Sequence, residues 1–255
     1  MTVNQISAIV ITKNEAHNLG DCLSSIADLA HEIIVIDSNS QDETVSIAKK
    51  FGAIVVQPED WQGFGVQKNR ALSLATKTWI LSVDADERIS PQLAQEIKLL
   101  ISDEITTEVF EIPRMSWYCD RFIMHSGWRP DYVLRLFKKS SAKFNDNVVH
   151  ERVVHSKKVG RLKNSIIHYS YRNYEQVIDK MNAYSTASAF QMHKEGRDSN
   201  IWKALGHGLW TFIRTYIIHA GFLDGEQGLA LAISNAEGSY YKHLKLALLS
   251  NQTSN

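Results

Sequence analysis

Two carboxylates one residue apart, Asp84 and Asp86, follow an apolar run in this 255-residue chain. The run, residues 79–83, is typical of a buried strand. In an open α/β sheet, ligands bind at the carboxyl ends of the strands, where this pair is expected to lie. Carboxylates at positions i and i+2 can reach one hard cation, because such cations prefer oxygen ligands. The alternative is that both are turn or cap residues before a helix that begins near Ser90.

Polar side chains also follow two earlier apolar runs. The first run leads into Thr12, Asn14 and Glu15, and the second leads into Asp37. Because the carboxyl ends of parallel strands meet at one edge of a sheet, we expect these side chains to lie near the carboxylate pair. An acidic residue at a strand end is a usual partner of ribose hydroxyls. The alternative for Asp37 is a turn that resembles a helix N-cap.

Short β-branched runs alternate with amphipathic stretches over the first hundred residues. This alternation predicts βαβ units on a mostly parallel central sheet, and therefore an α/β fold. Residues typical of helix N-termini support this pattern. Residues 40–43 match a capping box, and Pro91 after Ser90 suits the first position of a helix. The predicted strands are 6–12, 32–37, 53–57 and 79–83, and the predicted helices are 16–30, 42–51, 65–75 and 91–101.

The chain divides into three segments by pattern. Residues 1–107 carry the alternation, whereas residues 108–172 contain short extended runs at 109–113, 132–137, 148–155 and 166–169. Residues 173–255 form a predicted helical extension of about three helices, broken near Gly196 and near residues 221–225.

The formal net charge is zero, from 28 basic and 28 acidic side chains, but it is a cancellation between segments. Residues 1–109 carry a net charge of −8 and residues 110–172 carry +8. A hydrophobic content of 44% excludes a disordered chain, and two cysteines are too few for a disulfide scaffold. No signal peptide or apolar segment of about 20 residues is recognised, so we expect a cytosolic protein without a transmembrane helix.

Several ordered motifs resemble those of glycosyltransferase family 2, which uses nucleotide-diphosphate sugars on a GT-A fold. They are IVITKNE at 9–15, IVIDS at 34–38, GVQKNRA at 65–71 and VDADE at 83–87. Within that family, later motifs resemble those of bacterial lipopolysaccharide inner-core β-1,4-glucosyltransferases. These are HSGWRPD at 125–131, RLF at 135–137, VHE at 149–151, HYSY at 168–171 and GFLDG at 221–225.

The resemblance implies a UDP-glucose site in residues 1–107 and an acceptor-binding half in residues 108–172. It places Thr12, Asn14, Glu15 and Asp37 at the nucleotide. It also implies that Asp84 lies near the ribose and that Asp86 binds Mg²⁺ or Mn²⁺ at the diphosphate. Lys68 is expected to contact the donor, and its alternative is a lysine on a solvated helix face. His168 is expected to be a late ligand of the metal or the diphosphate, and His150 is the second choice for that role.

The resemblance implies that Asp131 is the catalytic base of an inverting transfer, although the family often has Glu-Asp where this chain has Pro130-Asp131. A base in this role removes the proton of the acceptor hydroxyl. The alternative is a turn aspartate paired with Arg129 or Arg135. The expected acceptor residues are His125, Trp128, Arg129, His150 and Glu151.

The basic middle segment and the aromatic helical tail suggest the remaining partners. Arginine suits the phosphates and carboxylates of a lipid A-core acceptor, whereas no nucleic-acid motif is recognised. The tail is expected either to lie on the cytoplasmic face of the inner membrane as a peripheral anchor or to pack on the catalytic domain.

Two other enzyme classes require motifs that this chain lacks. A dinucleotide-dependent oxidoreductase needs G-x-G-x-x-G after the first strand, where this chain has residues 13–17, KNEAH. An aspartyl phosphatase needs its paired carboxylates on the first strand rather than the fourth. A noncatalytic sugar- or lipid-binding module, or a family 2 enzyme with another UDP-sugar or glycan acceptor, remains an alternative.

Overall fold

A computed structural model of the chain describes residues 5–103, 105–145 and 152–252. The strands are β1 (Ile6–Thr12), β2 (Glu32–Asp37), β3 (Ile54–Val56), β4 (Trp79–Ser82), β5 (Glu87–Ile89), β6 (Val109–Tyr118), β7 (Arg121–Phe122), β8 (Tyr132–Lys138), β9 (Ala142–Phe144), β10 (Val153–His155), β11 (Val159–Arg161) and β12 (Ile166–Tyr171). The α-helices are α1 (Ala16–Ile26), α2 (Thr44–Lys50), α3 (Phe64–Leu74), α4 (Pro91–Ser102), α5 (Tyr174–Lys194), α6 (Ile201–Phe212) and α7 (Gly225–Gln252).

The chain forms two compact units. The first contains Met1–Arg114 and Asp131–His168, and the second contains Met115–Pro130 and Tyr169–Asn255. This division differs from the three segments of the sequence analysis. The reason is that Tyr118, at the end of β6, and Ile123, which follows that strand, pack in one apolar cluster with residues of the helical extension.

The predicted parallel sheet is confirmed in the first unit, where β3, β2, β1 and β4 are parallel neighbours in that order. Beyond β4 the sheet becomes mixed, because β8 pairs antiparallel with both β4 and β6. Strand β5 was not predicted from the sequence; it pairs antiparallel with β12, with His168 opposite Glu87. This pairing brings His168, a residue late in the chain, close to the residues that follow β4.

Apolar residues cover both faces of the parallel strands, which explains their nearly continuous apolar sequences. In β1, Ala8 and Val10 belong to the core that contains residues of α1 and α4, whereas Ile9 belongs to the core that contains residues of α3. Packing on both faces holds the strands in register. The polar residues that follow the strands therefore extend from a rigid platform.

One predicted helix start is confirmed and one is wrong. Ser90 caps α4, since its Oγ accepts a hydrogen bond from the Leu93 N–H at 3.2 Å, with Pro91 at the first position. The predicted capping box at residues 40–43 does not form, because α2 begins at Thr44 and its N-cap makes no side-chain cap bond. The Ser40 hydroxyl instead donates to Asp37 at 2.5 Å.

The second unit is mainly helical, and the predicted breaks near Gly196 and residues 221–225 are confirmed. A π-helical segment, Ile213–Ile218, and a 3₁₀ turn, Gly221–Asp224, connect α6 to α7. The rings of His207 and His243 stack at 3.9 Å between these helices, and burial lowers the pKa of His243 to about 4. Among the described residues, no helix is long and apolar enough to cross a membrane.

Candidate active site

Asp84 lies between two cations at the end of β4. Its Oδ1 is 3.0 Å from Lys68 Nζ, and its Oδ2 contacts Arg135 Nη2. The Lys68 side chain comes from α3 and is only 4% exposed, so the alternative of a solvated helix face is wrong for this residue. Arg135 comes from β8, whose neighbouring Leu136 pairs with Leu81. The antiparallel register therefore places the guanidinium beside the chain that leaves β4.

The ion pairs continue from Arg135 to Asp131. Arg135 Nη2 donates to Glu87 Oε1 at 2.8 Å, and Arg114 Nη1 lies 3.5 Å from the same oxygen. Arg114 Nε then donates to Asp131 Oδ2 at 2.8 Å. We call this set of alternating charges, Lys68, Asp84, Arg135, Glu87, Arg114 and Asp131, the charge network. It contains three cations and three carboxylates, so its formal charges balance.

The charge network keeps Asp84 ionised. Burial alone raises the pKa of a carboxyl group, but the nearby charges of Arg135 and Lys68 outweigh it and hold the pKa of Asp84 well below its ordinary value. Burial likewise lowers the pKa of Arg135, and Asp84 and Glu87 more than reverse that effect. Asp84 is thus a charged residue held in place by two side chains, consistent with a positioning role at the strand end.

Asp86, the second carboxylate of the pair, has a different environment. Its Oδ2 lies 3.3 Å from His168 Nε2, and the two side chains are 24% and 17% exposed. The antiparallel pairing of β5 with β12 brings the histidine to this position. The structure therefore brings together the two residues that the sequence analysis chose as metal ligands.

This pair fits a divalent cation that is shared with a phosphate substrate. Among the described residues no group of three or more His, Cys, Asp or Glu side chains is arranged to hold a metal ion. Mg²⁺ is usually held by one or two carboxylates together with substrate phosphates and water, so a full protein cage is not required.

Asp37 is buried and its carboxylate is already occupied. It accepts hydrogen bonds from Thr12 Oγ1 at 3.0 Å, from the Ser40 N–H at 2.9 Å and from Gln57 Nε2 at 3.0 Å, besides the Ser40 hydroxyl. These bonds tie the ends of β1 and β2 together. Contact of Thr12 and Asp37 with a nucleotide remains a prediction, and it requires one of these partners to move.

Asn14 and Glu15 shape the loop after β1. Asn14 adopts a left-handed backbone conformation (φ 54°), which asparagine tolerates, and its Oδ1 accepts from the Gln41 N–H at 2.8 Å. Glu15 Oε2 accepts from Asn18 Nδ2 at 2.8 Å. Both side chains hold the loops at the strand edge, and their contact with a nucleotide remains a prediction.

Asp131 does not pair with Arg129 or Arg135, the partners that the alternative reading expected. Its partner is Arg114, which also donates its backbone N–H to the Asp131 carbonyl at 2.8 Å. The Asp131 side chain is 33% exposed, and its Oδ1 accepts no hydrogen bond from the described part of the chain. One oxygen is oriented by the arginine and the other is available to take a proton.

The predicted acceptor residues that the structure describes, His125, Trp128 and Arg129, lie in the second unit. The His125 N–H and ring Nδ1 contact the carboxylate of buried Asp224, at 3.0 and 3.2 Å. Trp128 stacks on Tyr171 with 6.3 Å between ring centroids, and Arg129 Nη1 lies 3.3 Å from Met124 Sδ. His150 and Glu151 lie outside the described residues.

Arg114, Glu87 and Asp224 are residues to which the sequence analysis assigned no role. Glu87 is fully buried, and Asp224 accepts hydrogen bonds from the Met124 N–H and the Ser126 hydroxyl at 2.9 and 2.8 Å. The sequence contained an indication for each of these three residues. Glu87 and Asp224 belong to motifs already recognised, and Arg114 is a charged residue within an apolar run.

We expect Arg135→Met to destabilise the first unit strongly. The change leaves Asp84 and the buried Glu87 without their shared cation, and breaking a buried ion pair costs about 3–5 kcal/mol. Urea denaturation followed by circular dichroism measures the loss. The matched control is Arg161→Met, which removes an exposed pair with Glu111 and should cost about 1 kcal/mol or less. Equal stability of the two variants would show that the charge network does not support the fold.

Comparison with known proteins identifies the fold and the family. A family model described as "Glycosyl transferase family 2" matches residues 7–127. An uncharacterized glycosyltransferase of Rickettsia conorii is 30% identical over 259 residues, which cover 95% of this chain and 89% of that protein. The lipopolysaccharide core biosynthesis glycosyltransferase LpsC of Rhizobium meliloti is 28% identical over 260 residues, which cover 93% of each chain.

A solved structure agrees with these relatives at the level of fold. The crystal structure of S. aureus TarS 1-349 in complex with UDP-GlcNAc has a TM-score of 0.52 and 14% sequence identity. The similarity covers 98% of this chain and 92% of that chain. The GT-A fold predicted from the motifs is thereby confirmed.

Proposed function

The chain belongs to glycosyltransferase family 2, and we propose that it transfers glucose from UDP-glucose to a heptose of the lipopolysaccharide inner core. The name of the relative LpsC supports an acceptor in the lipopolysaccharide core, and the TarS complex supports a UDP-sugar donor. Glucose, heptose and a β-1,4 linkage rest on the motif resemblance. The alternative is a different UDP-sugar or a different cell-surface glycan.

One observation carries the proposal, namely the 3.3 Å approach of Asp86 to His168 beside the balanced charge network. Asp86 and His168 would hold Mg²⁺ or Mn²⁺ at this position. A cation bound there neutralises the negative charge that develops on the leaving diphosphate. Lys68 and Arg135 hold Asp84 next to this point, so that the carboxylate can orient the donor ribose.

Asp131 acts as the base of the transfer. Its Oδ1 takes the proton of the acceptor hydroxyl as that oxygen bonds to the anomeric carbon of the donor. The bond from the anomeric carbon to the diphosphate oxygen breaks, and UDP leaves with the electron pair. Attack opposite the leaving group converts the α-linked donor into a β-linked product. Arg114 orients the carboxylate through its bond to Oδ2.

A donor screen tests the proposal. Thermal unfolding is measured with Mn²⁺ and UDP-glucose, UDP-galactose, UDP-GlcNAc or GDP-mannose, and then UDP release is measured with deacylated inner-core oligosaccharide as acceptor. We expect the largest stabilisation with UDP-glucose, and NMR of the product should show a β-1,4-glucosyl heptose. Stronger stabilisation by another donor would assign that sugar instead. Stabilisation without any transfer would favour a noncatalytic sugar-binding module.

The second unit carries an exposed apolar surface suited to a lipid bilayer. Residues 201–223 contain two basic and no acidic side chains, Lys203 and Arg214 being the basic ones. We define the α6 apolar surface as the large exposed apolar side chains of this stretch: Ile201, Trp202, Leu205, Leu209, Trp210, Ile217, Ile218, Phe222 and Leu223. Apolar side chains flanked by basic ones are typical of helices that lie in a membrane interface. We therefore propose peripheral binding to the anionic cytoplasmic face of the inner membrane.

Sedimentation with phosphatidylglycerol-containing liposomes tests this location. We expect the protein to sediment with the vesicles, and Trp202→Ser combined with Leu209→Ser to leave it in the supernatant, because about 2–3 kcal/mol of burial is lost per large apolar side chain. The control is Ile178→Ser, at an equally exposed apolar residue of α5 outside the α6 apolar surface. A wild-type protein that stays in the supernatant would contradict the proposal.

A further inference from the structure

The second unit contains a cavity of about 370 Å³ whose lining is unusually polar for the interior of a helix pair. Side chains of α5 and α7 form its walls, and Tyr118, Trp128 and Tyr171 contribute aromatic rings. Elsewhere these two helices meet both through apolar residues, in the cluster of Ala189, Met192 and Leu246, and through the Lys245 ammonium group, which contacts Asn182.

The spacing along α7 directs a set of polar residues into the cavity. Ser234, Asn235, Ser239 and Lys242 all line it, and separations of three and four residues place them on one face of the helix. Ser185 and Ser188 of α5 also contribute hydroxyl groups to the lining. A face that packs only against another helix is expected to be apolar. The hydroxyl and amide groups can both donate hydrogen bonds to a polar ligand and accept them from it, and the ammonium group can donate them.

Two of these side chains have no partner. Within residues 5–103, 105–145 and 152–252, neither the Asn235 amide nor the Lys242 ammonium makes a hydrogen bond or ion pair. The contrast with Lys245, one turn further along α7, is clear. Lys245 Nζ donates to Asn182 Oδ1 at 2.7 Å and to Ser185 Oγ at 2.8 Å. Lys242 is half-buried at the cavity and offers a positive charge that the described protein groups do not neutralise.

The aromatic rings of the lining provide apolar surface for a ligand. Trp128 stacks on Tyr171, and Tyr118 meets the Trp128 ring edge to face at 5.9 Å. Burial raises the pKa of Tyr118 to about 12, so its hydroxyl stays neutral, and it lies 3.4 Å from the Ser234 hydroxyl. Flat aromatic surfaces beside hydroxyl and amide groups suit a sugar, which has apolar C–H faces and polar edges.

We propose that this cavity binds an anionic saccharide, with a phosphate group of the sugar at Lys242. The volume lies at the lower end of the range for ligand pockets, about 300–1,000 Å³, and suits a short saccharide. The proposal rests on the proposed function in one respect, because it identifies this saccharide as part of the glycan acceptor. Trp128, predicted from the sequence as an acceptor residue, then acts in this cavity.

The test measures binding of deacylated, phosphorylated inner-core oligosaccharide to the full-length protein by saturation-transfer NMR and calorimetry. We expect Lys242→Met and Asn235→Leu each to weaken binding about tenfold. The control Lys194→Met, at an exposed lysine near the end of α5, should bind within twofold of wild type. Enzymatic dephosphorylation of the oligosaccharide should reproduce the effect of Lys242→Met on the wild-type protein.

In transfer assays the same two variants should raise KM for the oligosaccharide without changing thermal stabilisation by UDP-glucose. Wild-type affinity in both variants, or equal binding of the dephosphorylated oligosaccharide, would overturn the proposal. Failure of the proposed function gives a different result: the oligosaccharide then binds, and binds more weakly to the variants, but receives no sugar.

Discussion

Asp86→Ala is expected to lower metal-dependent transfer by at least about 10²–10³-fold, the usual cost of removing one group that stabilises developing negative charge. The carboxylate is 24% exposed and its contact with His168 is 3.3 Å long, so little of the fold depends on it. Stability should therefore change by less than about 1 kcal/mol, as is usual for substitutions outside buried networks. The rate of UDP release in the presence of Mn²⁺ measures the effect.

The control for Asp86→Ala is Asp28→Ala, which removes an exposed carboxylate outside the site. This control should retain wild-type UDP release. The Asp86 variant should also bind Mn²⁺ more weakly in the presence of UDP, which separates metal binding from catalysis. Normal UDP release by the Asp86 variant, or release that does not depend on metal, would contradict the assigned mechanism.

Asp131→Asn is expected to lower transfer by about 10²–10⁴-fold, the usual contribution of a general base. The asparagine amide oxygen can still accept the hydrogen bond from Arg114 Nε, so the substitution removes the base while preserving its anchor. Donor binding involves no proton transfer, and thermal stabilisation by UDP-glucose should be unchanged. Single-turnover assays with oligosaccharide acceptor measure the loss.

Glu111→Gln is the matched control for Asp131→Asn. Glu111 is also a partly exposed carboxylate paired with an arginine, since its Oε2 lies 3.0 Å from Arg161 Nε. Its variant should transfer sugar at the wild-type rate. If Asp131→Asn were as active as Glu111→Gln, the base would have to be sought elsewhere, and Glu151 would be the next carboxylate to replace.

The local patterns of the first hundred residues predict much of the first unit. Short apolar runs between amphipathic stretches predict β1 to β4, and Ser90 with Pro91 predicts the start of α4, because these features depend on neighbours in sequence. The predicted cap at Ser40 fails for an equally local reason. The Ser40 hydroxyl donates instead to the carboxylate of Asp37, three residues earlier in the chain.

The charge network could not be derived from sequence spacing. Arg135 is 51 residues from Asp84, and the two meet because β8 pairs with β4 in an antiparallel register. His168 is 82 residues from Asp86, and it arrives through the pairing of β12 with β5, a strand of three residues that has no clear sequence signature. The motif resemblance nevertheless selected both members of the Asp86 and His168 pair.

The sequence by itself determined the chemistry that is available: a D-x-D pair at the end of an apolar strand, a late histidine and a candidate base at Asp131. Strand periodicity is a local property of the chain and predicts the position of the D-x-D pair, whereas the histidine and the base are predicted from the motif resemblance. Only the tertiary structure decided which side chains each of the two carboxylates contacts. Asp84 is held between Lys68 and Arg135, whereas Asp86 faces His168. That division follows from antiparallel pairings between distant segments, which local sequence does not specify.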